Sequence, residues 1–114
     1  MIVKHIKSEF VLGEDVKVAN TFMSRLVGLM FVKEITGMDG LIIERCNSVH
    51  NCFVRFPIDV IFLSKDNQIV KIIRGFKPWR FSGMYFKANR VLELPAGTTP
   101  ADIVKGDFLE VSGV

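Results

Sequence analysis

The chain has 114 residues, a formal net charge of +3 and a pI near 9.0, with 49% hydrophobic and 24% charged residues. That composition excludes a disordered chain and fits one domain over residues 1–114, because a single core of ordinary domain size accounts for the whole length. The basic excess is smaller than a dedicated nucleic-acid binder shows, and two cysteines, Cys46 and Cys52, are too few for a disulfide framework.

At the amino terminus, Lys4 and Lys7 interrupt the apolar residues Ile2, Val3 and Ile6, so no signal-peptide core forms there. Residues 26–32 are the longest uninterrupted apolar run, far short of the roughly 20 residues of a membrane span. No integral membrane segment is expected. The expected compartment is the cytosol, or the periplasm or envelope if a leader was removed. Residues 10–18 carry a Gly13-Glu14-Asp15 turn between apolar stretches, which predicts a hairpin closing near Ala19.

Over residues 21–30 the period changes: Phe22, Leu26, Leu29 and Met30 recur at helical spacing behind Asn20 or Thr21 as cap, which predicts the main helix. Leu41-Ile42-Ile43 begins a strand, and residues 58–63 have the length and apolar continuity of a buried strand. Lys65-Asp66-Asn67 then predicts a short hairpin loop leading into Ile69-Val70-Lys71-Ile72-Ile73. Residues 91–94 and 108–111 are further strands, and Thr99-Pro100-Ala101-Asp102 predicts a capped helical turn ending at Gly106. This count, about seven strands and one main helix, predicts a mostly β, α+β domain in which a rolled sheet or sandwich replaces a parallel α/β fold.

The motifs in order are Ala19-Asn20-Thr21, Arg25-Leu26-Val27-Gly28-Leu29-Met30, the run Arg55-Phe56-Pro57-Ile58-Asp59-Val60-Ile61-Phe62 after His50, and Leu92-Glu93-Leu94-Pro95-Ala96-Gly97 through Gly106-Asp107. Together the order and spacing resemble the domain-of-unknown-function family 192. The resemblance implies a compact β-barrel or jelly-roll-like sandwich with one helix near residues 21–30, and it implies no activity. It also implies relatives with signal peptides and envelope association, a feature this amino terminus does not share. Val54 and Asn51-Cys52 depart from the residues common in the family.

Three constellations are candidates for chemistry. In Cys46-Asn47-Ser48-Val49-His50-Asn51-Cys52, three metal-ligating side chains fall close in sequence, but an extended chain puts Cys46 and His50 about 13 Å apart at roughly 3.3 Å per residue. Without a tight turn at Asn47-Ser48 they reach neither one ion nor a disulfide, and buried thiols are the simpler expectation. No metal, cofactor or catalytic residue is therefore assigned. Asp59 is a carboxylate in an otherwise apolar strand. It either holds backbone amides or an arginine such as Arg25 or Arg55, or forms part of a ligand pocket with Arg25 and His50.

The third constellation is residues 71–90, where Lys71, Arg74, Lys77, Arg80, Lys87 and Arg90 interleave with Phe76, Trp79, Phe81, Tyr85 and Phe86 and no acidic residue occurs. Such a surface can bind an anionic protein, a nucleic acid or a lipid headgroup, unless the rings fill the core and the cations are simply solvated. The expected function is a non-catalytic binding or accessory domain, acting as a monomer. It engages a macromolecular partner through a surface formed near residues 50–59 and 71–90, which includes Arg55, Arg74, Lys77, Trp79 and Arg80. The alternative is a small-ligand binder or small enzyme with a pocket around Arg25, His50 and Asp59.

Overall fold

Residues 1–19, 38–49 and 56–113 are described by the computed structural model. They form eight strands: β1 (Ile2–His5), β2 (Val11–Gly13), β3 (Val16–Ala19), β4 (Gly40–Glu44), β5 (Ile58–Leu63), β6 (Ile69–Phe76), β7 (Arg90–Pro95) and β8 (Leu109–Ser112). Branched and aromatic side chains dominate these segments, as suits a pleated, half-buried surface. β5 is the extreme case, with all six residues buried.

The strands make two open sheets, one of three strands in the order β2-β1-β8 and one of five in the order β3-β4-β7-β5-β6. Every pairing is antiparallel except β3 with β4, which is parallel in the register Val16 with Gly40 through Ala19 with Ile43. The expectation of a closed barrel or jelly-roll sandwich is therefore corrected. β3 and β6 stay at opposite edges of the larger sheet, so it does not close, and the parallel pair departs from the antiparallel Greek keys of a jelly roll. The mostly β character stands.

The expected hairpin over residues 10–18 is also corrected, because Gly13-Glu14-Asp15 carries the chain from one sheet to the other. Asp39 fixes this corner by accepting the amides of Glu14 and Asp15 at 2.7 and 3.0 Å, and these bonds hold its carboxyl below the ordinary range. Val16 and Met1 exchange backbone bonds across the same corner, each 2.9 Å long. The β5–β6 hairpin forms as expected: Ser64 Oγ accepts the amides of Asp66 and Gln68, and Asn67 takes the left-handed φ of 65° that asparagine tolerates.

Among the described residues there is no helix, and none long and apolar enough to cross a membrane. The helix expected over residues 21–30 lies outside them. The helical turn expected at Thr99-Pro100-Ala101-Asp102 is a simple turn, closed by the Ile103 amide on the Pro100 carbonyl at 3.2 Å. Thr99 does not cap a helix there; its amide points at Asp59. One turn is too short to sustain helix without outside partners.

Alternation along the five-stranded sheet separates two apolar clusters. Ile42, Ile61, Leu63, Leu92 and Leu94 join Val3, Leu12 and Leu109 of the smaller sheet in one core, while Leu41, Ile43, Ile58, Val60, Phe62 and Val91 form the other. Both faces of this sheet are thus covered. What remains for function is at its ends and in its connections.

Candidate functional site

Of the residues singled out from sequence, Arg25, His50 and Arg55 lie outside the described residues, as does Cys52. Asp59 is buried on β5, where Oδ1 accepts the Gly75 amide at 2.9 Å and Oδ2 accepts the Thr99 amide at 3.1 Å. Both oxygens therefore fasten backbone, the structural alternative weighed for this residue. Arg74 works on the same loop from outside, with one guanidinium nitrogen donating to the carbonyls of Pro100 and Ile103 at 2.9 and 2.7 Å. Together these two side chains clamp residues 99–103 against β5 and β6.

Cys46 donates its thiol to the Ser48 carbonyl at 2.9 Å, so the segment does turn at Asn47-Ser48. Among the described residues no group of three metal-ligating side chains converges. A cavity of about 260 Å³, lined by Arg45, Cys46, Asn47, Ala88 and Asn89, opens beside this turn.

Lys77, Trp79 and Arg80 belong to the connection between β6 and β7, and the backbone of that connection is firmly held. Ser82 donates its amide to the Val49 carbonyl and accepts the Val49 amide on Oγ, both at 2.8 Å. The Tyr85 amide reaches the Asn47 carbonyl at 2.9 Å, and the Asn89 amide reaches Leu63 at 2.7 Å. Inward, the Tyr85 ring packs on Phe62 at a centroid distance of 4.6 Å, and Phe76 and Ala88 are buried. Outward, Trp79, Phe81, Met84 and Phe86 are 57%, 74%, 59% and 82% exposed. Trp79 also holds a φ of 62°, a left-handed conformation that a bulky side chain rarely adopts and that costs on the order of 1–3 kcal/mol.

The structure thus sorts the aromatics that sequence presented together: Phe76 and Tyr85 face the core, while Trp79, Phe81 and Phe86 face water. It sorts the cations as well. Arg90 is half-buried between Glu44 at 3.4 Å and Asn67 at 3.1 Å, and Arg74 holds the clamp. Lys77, Arg80 and Lys87 are exposed and make no ion pair among the described residues. Met84 was the residue sequence reasoning missed; a lone methionine between glycine and tyrosine carries no periodic signal.

Two further polar features escaped the sequence reading. Glu93 on β7 is 4% exposed and lies opposite Leu41 and Val60, and its carboxyl makes no hydrogen bond among the described residues, so burial pushes it up to about 7. Its place between Leu92 and Leu94 was the available signal. The second feature is a chain through buried His5. Ser8 donates its amide to His5 Nδ1 at 3.3 Å and places Oγ 2.6 Å from the same atom, while His5 Nε2 faces Asp107 Oδ2 at 2.8 Å. Asp107 is held below the ordinary carboxylate range by His5 and by the Val104 amide. These bonds pin the β1–β2 connection to the turn before β8.

Fold and site together define a small mostly β protein: a mixed five-stranded sheet, covered on both faces, that presents a rigidly anchored basic and aromatic loop. The chain belongs to the DUF192 family, described as Uncharacterized ACR, which it matches over residues 3–111. A UPF0127 protein of Pyrococcus furiosus is 40% identical over 100 residues, covering 84% of this chain and 85% of that protein. A UPF0127 protein of Thermococcus kodakarensis is 31% identical over 114 residues, 96% of this chain and 71% of that one. Among solved structures, a Novosphingobium aromaticivorans protein of unknown function superposes with a TM-score of 0.78 at 22% identity, covering 96% of this chain and 82% of that one. A Sinorhizobium meliloti protein provisionally described as a transcription regulator gives 0.77 at 24% identity, covering 96% and 89%. These two likenesses carry the fold alone.

Proposed function

We propose that the chain is a non-catalytic binding domain, a single-domain monomer of the cytosol, that engages an anionic partner through the loop of residues 77–87. The observation that supports this reading is the coincidence, on one anchored loop, of four exposed apolar side chains with Lys77, Arg80 and Lys87, each exposed and without an ion pair among the described residues. Several exposed large apolar side chains on one loop of a small protein favour an interaction surface, and cations on the same loop select the sign of the partner. The backbone bonds to Asn47 and Val49 limit the ordering cost of association.

The pocket reading around Arg25, His50 and Asp59 draws less support, since both Asp59 oxygens already serve backbone amides. The test is retention of the protein on an immobilised single-stranded oligonucleotide, on polyglutamate and on an anionic lipid. Retention by at least one of these, lost in the triple variant K77S/R80S/K87S at unchanged thermal stability, is the expected result. Equal retention of wild type and variant, or none on any support, contradicts the reading.

A further inference from the structure

We infer that the anionic partner of residues 77–87 is a lipid bilayer surface, into whose headgroup region Trp79, Phe81, Met84 and Phe86 insert. The inference rests on the binding-domain reading and narrows it. Three observations separate a bilayer from other anionic partners.

First, a single-stranded nucleic acid stacks its bases on aromatic faces laid along a groove or sheet. Both faces of the five-stranded sheet are occupied by core, so that sheet offers no platform, and Met84 has no π-face to contribute. Second, the exposed side chains stand at 57–82% exposure on one connection. A protein partner would need a matching pocket for each protruding side chain, because its contact energy comes from close-packed anchors. The disordered interface of a bilayer receives them without shape matching. Third, the residue types fit that boundary: an indole combines an apolar body with a polar N–H, phenyl rings enter the acyl edge, and Lys77, Arg80 and Lys87 can place their charged heads at the phosphates while their stems lie along the apolar layer.

Insertion of a loop into the interface needs no spanning segment, and no described helix could provide one.

Trp79 is the only tryptophan of the chain, so its emission reports the loop directly. The experiment titrates the full chain with vesicles of phosphatidylglycerol and phosphatidylcholine, with phosphatidylcholine vesicles alone, and with single-stranded oligonucleotide and polyglutamate. The expected result is a blue shift of Trp79 emission with anionic vesicles and quenching by lipids brominated in the upper acyl chain. Affinity should fall about a hundredfold in K77S/R80S/K87S, since each cation near an anionic surface contributes about one factor of five. F81S/F86S changes two side chains that are mostly in water, so it should keep the fold and lose the shift. Binding to oligonucleotide or polyglutamate through the same loop, with no shift on vesicles, overturns the lipid inference and leaves the binding-domain reading intact. Failure to bind any of the four probes overturns both.

Discussion

Glu93 and Asp59 are both carboxylates in apolar strands, and their surroundings give them opposite roles. Asp59 accepts two backbone amides, so replacing it with Ala leaves the buried Thr99 donor and the part-buried Gly75 donor without this acceptor. Asp59→Ala is expected to destabilise the fold by about 2–4 kcal/mol in urea unfolding, and to increase hydrogen exchange at Gly75 and Thr99 first. Glu93 has no such partners among the described residues, and its carboxyl is raised from 4.5 to about 7. Below pH 4.5 folded and unfolded chains are both protonated there. Between the two values the folded chain keeps a proton that the unfolded chain releases, so stability falls as pH rises through this window and levels off above it. The total effect is on the order of 3 kcal/mol. Glu93→Gln should remove that slope and be more stable than wild type at pH 8; an unchanged slope would exclude Glu93 as its source.

At the scale of elements, the strands with continuous apolar runs and the hairpin at residues 64–68 were legible in the sequence because local chemistry decides them. Ser64 and Asn67 build their turn from their own side chains and backbone. The division into two sheets was not legible. Gly13-Glu14-Asp15 has the composition of a hairpin turn, and what converts it into a corner between sheets is Asp39, a distant residue whose carboxylate takes both amides. The parallel pairing of β3 with β4 is likewise a long-range choice. Gly40 belongs to this level too, for a Cβ there would sit 2.7 Å from the Glu93 carbonyl oxygen in the neighbouring strand. Gly40→Ala is therefore expected to destabilise by about 1–3 kcal/mol in thermal or urea unfolding, whereas a neutral outcome would mean that β4 and β7 can separate at that point.

For the whole molecule, the site was half legible. The acid-free stretch of residues 71–90 and its aromatics mark the region, but sequence cannot say which rings turn outward, because loop residues follow no period. Tyr85 and Phe86 are neighbours, and one packs on Phe62 while the other stands 82% exposed. Nor can it separate Arg74 and Arg90, which hold the fold together, from Lys77, Arg80 and Lys87, which do not. With core on both faces of the large sheet and several polar groups committed to backbone, the exposed loop is where the described surface departs most from that of an inert domain. The most direct measurement is an NMR amide-shift titration of the labelled full chain with anionic lipid nanodiscs, oligonucleotide and polyglutamate in turn. Shifts concentrated at residues 77–89 and at their backbone partners Asn47 and Val49 are the predicted result; shifts centred elsewhere, or none with any ligand, would contradict the account.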